Sequence, residues 1–177
     1  TRTLYIEQDD FMEYPPKKFF RLYPGNEVRL KNAYLITCRE VVKDENTGAI
    51  IQLNCTYDPD SKGGSSPDGR KVKGTLHWVS EKYGRNIELR LYDSLFTKSN
   101  PDEEESGKSY IDYLNQDSMV VLKDSLAEPA LLDYIHKERF QFLRNGYFYY
   151  DKKDSTQSLP VFNRIVNLKD TWAKLSG

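Results

Sequence analysis

The chain has 177 residues, and its 26 basic and 27 acidic side chains leave a formal net charge of −1. This length suits one domain or two small ones, and the near-zero charge excludes a histone-like protein whose whole surface is basic. No apolar run approaches the roughly 20 residues that a membrane helix needs, and two cysteines are too few for a secreted disulfide scaffold, so we expect a cytoplasmic protein.

Extended runs and turn signals fill the first part of the chain. Residues 4–8 predict a short strand. Over residues 28–42, apolar and polar side chains alternate with the period of two that is typical of a strand, and a phase shift near Asn32 indicates a bulge. Gly48 favours a hairpin turn, because glycine adopts positive φ freely, and the return strand runs to Cys55.

That hairpin would place Cys38 beside Cys55. Two neighbouring thiols can form a redox pair or supply half of a metal site, or they can pack as small apolar side chains. We favour two packed, buried thiols, because no histidine accompanies them to complete a zinc site. The sequence therefore predicts no metal site.

The rest of the chain continues the pattern of short strands. The Asn-Gly pair at 145–146 is a strong two-residue hairpin signal. Pro129 limits the best helix candidate, 127–137, to a short piece. The acidic run within 98–108 indicates a solvated loop, and the tail 168–175 predicts one helical turn. The further strands and apolar runs are 75–79, 87–92, 119–123, 140–142, 146–150 and 161–166.

The number and spacing of these strands indicate an all-β fold. About nine or ten short strands, with turn signals at intervals of roughly 8–12 residues, are typical of sandwiches and barrels. The strands fall into two clusters, within 21–97 and within 119–168. Two small barrels would fit this pattern, because closing a sheet removes its exposed edges.

Catalytic motifs are absent from the sequence. It contains no nucleophile elbow, Walker loop, dinucleotide-binding glycine pattern or His-Glu-x-x-His helix. His77, between Leu76 and Trp78, is either a catalytic group or a structural histidine, and we favour the structural interpretation. The sequence therefore favours a binding module over a catalyst.

Basic residues gather in three groups beside aromatic side chains. Lysine and arginine neutralise phosphates and release their counterions, and exposed aromatic rings stack on unpaired bases. Proteins read RNA sequence mainly in unpaired loops, because the major groove of an RNA duplex is too narrow for side chains. A solvated charged face over an aromatic core would give the same pattern, and both interpretations stay open. The groups are Lys17, Lys18, Arg21, Arg29 and Lys31; Arg70, Lys71 and Lys73; and Lys137, Arg139 and Arg144.

Longer motifs give the sequence a resemblance to a known family. They include Lys18-Phe19-Phe20-Arg21-Leu22, Asp68-Gly69-Arg70-Lys71-Val72-Lys73-Gly74, His77-Trp78-Val79-Ser80, Phe140-Gln141-Phe142 and Pro160-Val161-Phe162-Asn163-Arg164. Over essentially its whole length, the chain resembles the C-terminal anticodon-binding region of glutaminyl-tRNA synthetases. Related glutamyl-tRNA synthetases share parts of these motifs.

The resemblance implies two antiparallel six-stranded barrels with few short helices, each similar to a small 5S-RNA-binding ribosomal protein. One barrel of the family is inserted into the other. We therefore expect residues 21–108 to form the distal barrel, and residues 1–20 with 109–177 to form the proximal barrel. The family's catalytic domain is expected upstream, since its His-Ile-Gly-His and Lys-Met-Ser-Lys-Ser motifs are missing from this sequence.

The resemblance also implies which residues read the anticodon. Arg21 matches the arginine that contacts the third anticodon base, a guanine, and Arg29 matches the arginine that faces the first base. Gln141 and Arg144 match the pair that holds the middle uracil. Lys31, where many relatives have arginine, completes the expected anticodon-binding set. The expected contacts with the tRNA backbone are Lys17, Lys18, Arg70, Lys71 and Lys73.

For the whole protein, the resemblance implies a glutamine–tRNA ligase that uses ATP and Mg²⁺ to attach glutamine to its tRNA. This chain would hold no cofactor of its own. Its expected partners are the anticodon loop of glutamine tRNA and its own catalytic domain, in a monomer that does not bind membranes. The alternatives are the anticodon-binding region of a glutamyl-tRNA synthetase and a non-enzymatic RNA-binding barrel protein.

Overall fold

Strands account for most of the regular structure in the computed structural model, which describes residues 3–103 and 107–168. Helices within these ranges are limited to one α-helical turn, Ala130–Asp133, and short 3₁₀ segments. The prediction of a mostly β chain with few short helices is confirmed. The 3₁₀ segments are Gln8–Asp10, Pro59–Ser61, Tyr110–Tyr113 and Ile135–Lys137.

Contacts divide the chain into two units, between Lys82 and Tyr83. The first unit contains β1 (Leu4–Tyr5), β2 (Glu27–Leu30), β3 (Leu35–Lys43), β4 (Ile50–Asp58), β5 (Thr75–Leu76) and β6 (Val79–Ser80). The second contains β7 (Arg85–Tyr92), β8 (Met119–Ala127), β9 (Arg139–Phe142), β10 (Gly146–Tyr150) and β11 (Val161–Val166).

A four-stranded sheet in the order β4-β3-β2-β5 organises the first unit. The β2–β3 and β3–β4 pairs are antiparallel and the β2–β5 pair is parallel, while β1 pairs with β6 in a separate two-stranded sheet. Val28 and Leu30 are buried and Arg29 between them is only partly so, because alternate residues of a strand face opposite sides. They pack with Leu22 and Leu76 in the core of this unit.

Near Asn32, where the sequence predicts a bulge, a tight turn interrupts residues 28–42. Strand β2 ends at Leu30, whose carbonyl accepts a hydrogen bond from the Ala33 N–H at 3.0 Å. Asn32 has a φ of 58°, a left-handed conformation that asparagine tolerates better than most residues. The predicted single strand is therefore two antiparallel strands, and the phase shift in the sequence marks the turn between them.

The second unit is built on a five-stranded sheet in the order β8-β7-β11-β10-β9. Its core contains Ile87, Phe148 and Phe162, and Phe142 stacks on Phe148 with ring centroids 4.5 Å apart. The sequence pattern grouped the predicted strand 87–92 with the first cluster. In the structure, the corresponding strand β7 pairs instead with β8 and, in parallel, with β11. A parallel pairing across so long a connection leaves no mark in the local pattern.

The predicted hairpin near 145–146 is present, with a different loop. Phe142 pairs with Gly146, so three residues form the loop where the Asn-Gly signal predicts two, and Arg144 within it has a φ of 71°. A Cβ atom at Gly146 would lie 2.6 Å from the carbonyl oxygen of Val166. Glycine is therefore needed at this position for the close approach of β11.

The sheets of the described residues contain two, four and five strands, and none is closed. Two six-stranded barrels are thus not confirmed, and the nested arrangement of 21–108 within 1–20 and 109–177 stays a prediction. The helical turn predicted for 168–175 falls almost entirely outside the described residues. No helix in the described part of the chain combines the length and hydrophobicity needed to span a membrane.

Candidate nucleic-acid interface

A cleft of about 620 Å³ opens in the first unit. Two segments, residues 15–20 and residues 70–74, supply most of its lining, together with Tyr23, Asn26 and Glu27. These segments carry lysines, an arginine and phenylalanines, so the lining combines positive charge with aromatic surface. We call it the basic cleft.

Gly74 holds the two segments of the basic cleft in close approach. A Cβ atom at this position would lie 2.6 Å from the carbonyl oxygen of Phe20 and 2.9 Å from Cγ1 of Val28. The Gly74 carbonyl also accepts a hydrogen bond from the Arg29 N–H at 2.8 Å. Only glycine leaves room for this contact, which ties the segment before β5 to both Phe20 and β2.

Arg70 anchors the second segment through three carboxylates. Its Nε and Nη2 atoms donate to the two carboxylate oxygens of Glu27, both at 2.8 Å. Nη2 also donates to Asp58 at 2.7 Å, and Nη1 lies 2.8 Å from Asp68. Bidentate arginine–carboxylate pairs are the geometrically specific form of ion pair. The cluster therefore fixes residues 68–70 against the ends of β2 and β4.

This cluster shifts the pKa values of Asp58, Asp68 and Arg70. The Arg70 guanidinium holds the pKa of Asp58 below its ordinary value. Hydrogen bonds from the Ser66 hydroxyl, and then from the backbone and side chain of Arg70, lower the pKa of Asp68 to about 2. Glu27, followed by the two aspartates, raises the pKa of Arg70 in turn. These shifts keep Asp58, Asp68 and Arg70 ionised at neutral pH, and the guanidinium is surrounded by three acidic side chains.

Exposed lysines carry the positive charge of the basic cleft. Nζ of Lys73 lies 4.9 Å from the ring centroid of Phe20, a cation–π geometry. Phe20 itself is 51% exposed, so its ring is available to stack on another flat group. The exposed lysines are Lys17, Lys18, Lys71 and Lys73.

Arg21 lies next to the basic cleft and contacts a buried carboxylate. Its Nη1 atom donates to Oδ1 of Asp10 at 2.6 Å and to the Asp9 carbonyl at 3.3 Å. The Arg21 carbonyl accepts a hydrogen bond from Nδ2 of Asn26 at 2.8 Å. The arginine side chain is 37% exposed, and that of Asp10 is fully buried.

Arg29 has a mainly internal set of partners. Its Nε donates to the Gly64 carbonyl, and Nη1 lies 3.5 Å from the Val72 carbonyl and 3.4 Å from Oγ1 of Thr75. A side chain at Gly64 would collide with that of Arg29. The guanidinium therefore binds the loop that precedes the basic cleft, and it remains only partly exposed.

Lys31 follows β2 and is exposed. Its backbone is held on both sides, because its N–H donates to the Leu76 carbonyl at 2.9 Å and its carbonyl accepts from Nε1 of Trp78 at 3.0 Å. The ammonium group thus extends into solvent from a fixed backbone.

Gln141 and Arg144 belong to the β9–β10 hairpin of the second unit. Gln141 is exposed on β9 and pairs with Tyr147, which is 45% exposed. Arg144 is exposed in the loop. A carboxamide and a phenol thus lie opposite each other on two strands, a few residues from the guanidinium. This surface offers hydrogen-bond donors, an acceptor and an aromatic face.

The two cysteines are neighbours, as the hairpin predicts. Cys38 pairs with Cys55 across β3 and β4. Cys38 is buried but Cys55 is exposed, because β4 is the edge strand of its sheet. The prediction of two buried thiols is therefore wrong for Cys55. Within residues 3–103 and 107–168, no group of three or more His, Cys, Asp or Glu side chains could hold a metal ion.

The carboxylates that hold the arginines were not predicted from sequence. Asp10 lies 11 residues from Arg21, and Glu27 lies 43 residues from Arg70. No periodic pattern connects residues so far apart. Acidic residues are common throughout this chain, with 27 in all, so their presence alone does not indicate which of them pairs with which arginine.

Two family models match the chain, and both are described as the anticodon-binding domain of class I tRNA synthetases, E and Q. One covers residues 1–58 and the other covers residues 75–151. The first range contains Arg21, Arg29 and Lys31, and the second contains Gln141 and Arg144.

Curated relatives match nearly the whole chain. A protein of Clostridium kluyveri named glutamine–tRNA ligase is 51% identical over 97% of this chain and 30% of its own length. Proteins of the same name from Stutzerimonas stutzeri and Nitrobacter hamburgensis are 49% and 53% identical over 98% and 99% of this chain. The chain spans about 30% of the length of these relatives. By family and by relatives, the chain belongs to the anticodon-binding region of the class I tRNA synthetases for glutamate and glutamine.

Proposed function

We propose that this chain reads the anticodon of a glutamine tRNA, as the anticodon-binding part of a glutamine–tRNA ligase. The observation that carries the proposal is the identity of about half of all residues, over 97–99% of this chain, with proteins of that name. The basic cleft and the β9–β10 hairpin support it, because both combine exposed cations with exposed aromatic rings.

Each candidate residue has a role in this proposal. Arg21 donates to O6 and N7 of the third anticodon base, a guanine, and Arg29 faces the first base with Lys31 beside it. Gln141 pairs with the middle uracil, since a carboxamide both donates and accepts, and Arg144 adds a cation. Leaving such a polar group unpaired against a wrong base costs about 1–3 kcal/mol. The phosphate contacts are Lys17, Lys18, Lys71 and Lys73, with Arg70 fixing the segment that carries the last two.

In the whole protein, the chemistry belongs to a catalytic domain that uses ATP and Mg²⁺ to attach glutamine to the tRNA. This chain contributes binding and positioning. Contacts at the anticodon are remote from the reacting atoms, and enzymes use such remote binding energy to orient a substrate at the reacting centre. The enzyme would act as a monomer in the cytoplasm.

For the fold, we propose two six-stranded barrels, one inserted into the other. The presence of a separate sheet and a separate core in each unit supports two barrels. Their nesting follows from the resemblance, and dissection of the chain tests it.

Binding of anticodon stem-loop RNAs to this chain tests the proposal. We would compare the glutamine loop with one whose middle uracil is replaced, and with one whose third base is cytosine, as in glutamate tRNA. The native loop should bind roughly tenfold or more tighter than either. Tighter binding of the cytosine loop would favour a glutamate enzyme. Equal affinities with a steep salt dependence would mean phosphate contact alone and would overturn anticodon reading.

A variant and its matched control test whether Gln141 reads the middle base. Gln141→Ala should abolish the preference for uracil and leave the preference at the third base unchanged. Gln157→Ala, an exposed glutamine of the same unit, should change neither. A Gln141→Ala protein that still distinguishes the middle base would contradict the role given to this residue.

A further inference from the structure

Asp10 is a fully buried carboxylate in the first unit. Removing a charged carboxylate from water is unfavourable unless an opposite charge and hydrogen bonds compensate. Arg21 supplies one such opposite charge, since its Nη1 lies 2.6 Å from Oδ1 of Asp10. The ion pair therefore joins a rigid interior position to a side chain that reaches the surface.

The backbone around this pair is fixed as well. The Leu22 N–H donates to the carbonyl of Asp10 at 3.0 Å, and the Met12 N–H donates to the carbonyl of Leu22 at 3.1 Å. These bonds hold the two segments side by side. The Asp9 carbonyl adds a second acceptor for Nη1 of Arg21, at 3.3 Å. Arg21 is thus held both at its backbone and at one end of its guanidinium.

The bonds to Asp10 and Asp9 use only one nitrogen of the guanidinium. An arginine has five N–H donors in a planar fork, and Nε and Nη2 of Arg21 donate to none of the residues in the described ranges. The edge that carries Nε and Nη2 is the one that can bind two acceptors in parallel. Guanine presents such a pair, O6 and N7, and arginine binds both at once.

We infer that Asp10 is a positioning residue, which holds Nη1 of Arg21 so that its Nε–Nη2 edge is presented to the third anticodon base. This inference rests on the proposed function, in which Arg21 reads that base. Asp10 itself touches no RNA, because it is buried. Its contribution is to fix the fork before the RNA binds, so that fewer side-chain rotations are lost on binding.

If Asp10 positions Arg21, neutralising Asp10 should change RNA binding in the direction opposite to that expected from charge alone. RNA is a polyanion, so neutralising an aspartate near its site should tighten binding if only long-range charge mattered. Loss of positioning should instead weaken binding of the guanine loop and leave the cytosine loop nearly unaffected. Asp9 provides a matched control, since it is adjacent and acidic but exposed, and it contacts Arg21 through its backbone carbonyl alone.

The experiment measures the affinity ratio of the guanine and cytosine loops for this chain and its Asp10→Asn and Asp9→Asn variants. We expect the parent chain and Asp9→Asn to prefer guanine roughly tenfold or more, and Asp10→Asn to prefer it less than about threefold. In the Arg21→Lys background, which keeps a cation but lacks the fork, adding Asp10→Asn should change the ratio no further. An unchanged ratio in Asp10→Asn, or an equal further loss in the double variant, would overturn the inference.

Two results need separate treatment: a parent chain without preference at the third base, and an Asp10→Asn variant that does not fold. If the parent chain shows no preference at the third base, the proposed function fails and this inference fails with it. If Asp10→Asn does not fold, as judged by its thermal unfolding, nuclear magnetic resonance of the parent chain replaces it. The Nη protons of Arg21, assigned with Arg21→Lys, should give separate, slowly exchanging signals in the absence of RNA. A single averaged signal would show a freely rotating guanidinium and would overturn the inference.

Discussion

At the scale of one residue, Cys55 shows how the surroundings of a thiol change its pKa. The residue lies on the edge strand β4 and is exposed, yet its thiol is partly desolvated. This desolvation, and then the charge of the adjacent Cys38, raise the pKa of Cys55 to about 12. The thiolate is the reactive form, so exposure alone does not make this cysteine reactive.

We therefore expect slow alkylation of Cys55. At pH 8 its rate with iodoacetamide should be roughly 10–100-fold below that of a free cysteine peptide, after allowance for the greater nucleophilicity of a more basic thiolate. The rate should keep rising up to pH 11, where an ordinary thiol has already reached its plateau. Peptide mass spectrometry of the parent chain separates the alkylation of Cys55 from that of Cys38. A plateau near pH 9 in the parent chain would contradict the raised pKa.

At the scale of an element, the conformation of the segment that carries Lys71 and Lys73 likewise depends on neighbouring groups. It contains no regular secondary structure between residues 62 and 74. The ion-pair cluster around Arg70 and the close approach at Gly74 hold it in place. Side-chain bonds thus replace the ladder of backbone bonds that fixes a strand, and they depend on pH.

Asp58→Asn should lower the melting temperature at pH 7, with a smaller effect in acid. The pKa of Asp58 is lowered in the folded chain, chiefly by Arg70. Its stabilising effect is therefore complete above the ordinary aspartate pKa of about 4 and is lost as the pH falls through the lowered value. Melting curves followed by circular dichroism at pH 7 and pH 2 should show the difference between variant and parent shrinking. Asp60→Asn, an exposed acid nearby, serves as control, and a difference that persists at pH 2 would argue against the ion pair as its source.

At the scale of the whole molecule, dissection distinguishes two ways of dividing the chain. In the first unit β1 pairs with β6, and Phe11 bridges Leu22, so residues 3–20 contribute to the same unit as residues 21–82. We expect residues 1–82 to unfold cooperatively on their own, because their core and the Asp10–Arg21 pair lie within them. Thermal unfolding of the fragments 1–82 and 21–108 provides the measurement. A cooperative transition in 21–108 and none in 1–82 would favour the nested barrels.

Sequence patterns predicted those parts of the fold that depend on near neighbours. Gly48 and the Asn-Gly pair at 145–146 mark the two hairpins, since turn geometry is local. The position of β7 was not predictable, because it depends on a parallel pairing with β11, far away in the chain. Exposure of Cys55 likewise depends on which strand ends up at the edge of the sheet.

The candidate site shows the same division between local and distant information. Motifs around Arg21 and Gln141 located the residues that were expected to contact the RNA. The acids that orient the arginines were not apparent, because Glu27 and Arg70 meet only after the chain has folded. A motif can thus propose contact residues, which binding experiments must test, whereas the groups that hold these residues are found only from coordinates.

The backbone contact at Gly74 has a consequence for anyone who wishes to change the specificity of this surface. Phe20 and Lys73 belong to distant parts of the chain, yet Gly74 joins their segments at a distance that admits no side chain. The two sides of the basic cleft therefore meet at Gly74, and any side chain there would collide with the Phe20 carbonyl and with Val28. Redesign must keep this glycine and change the chemistry of the exposed side chains, so that new specificity comes from the groups displayed and not from the shape of the cleft.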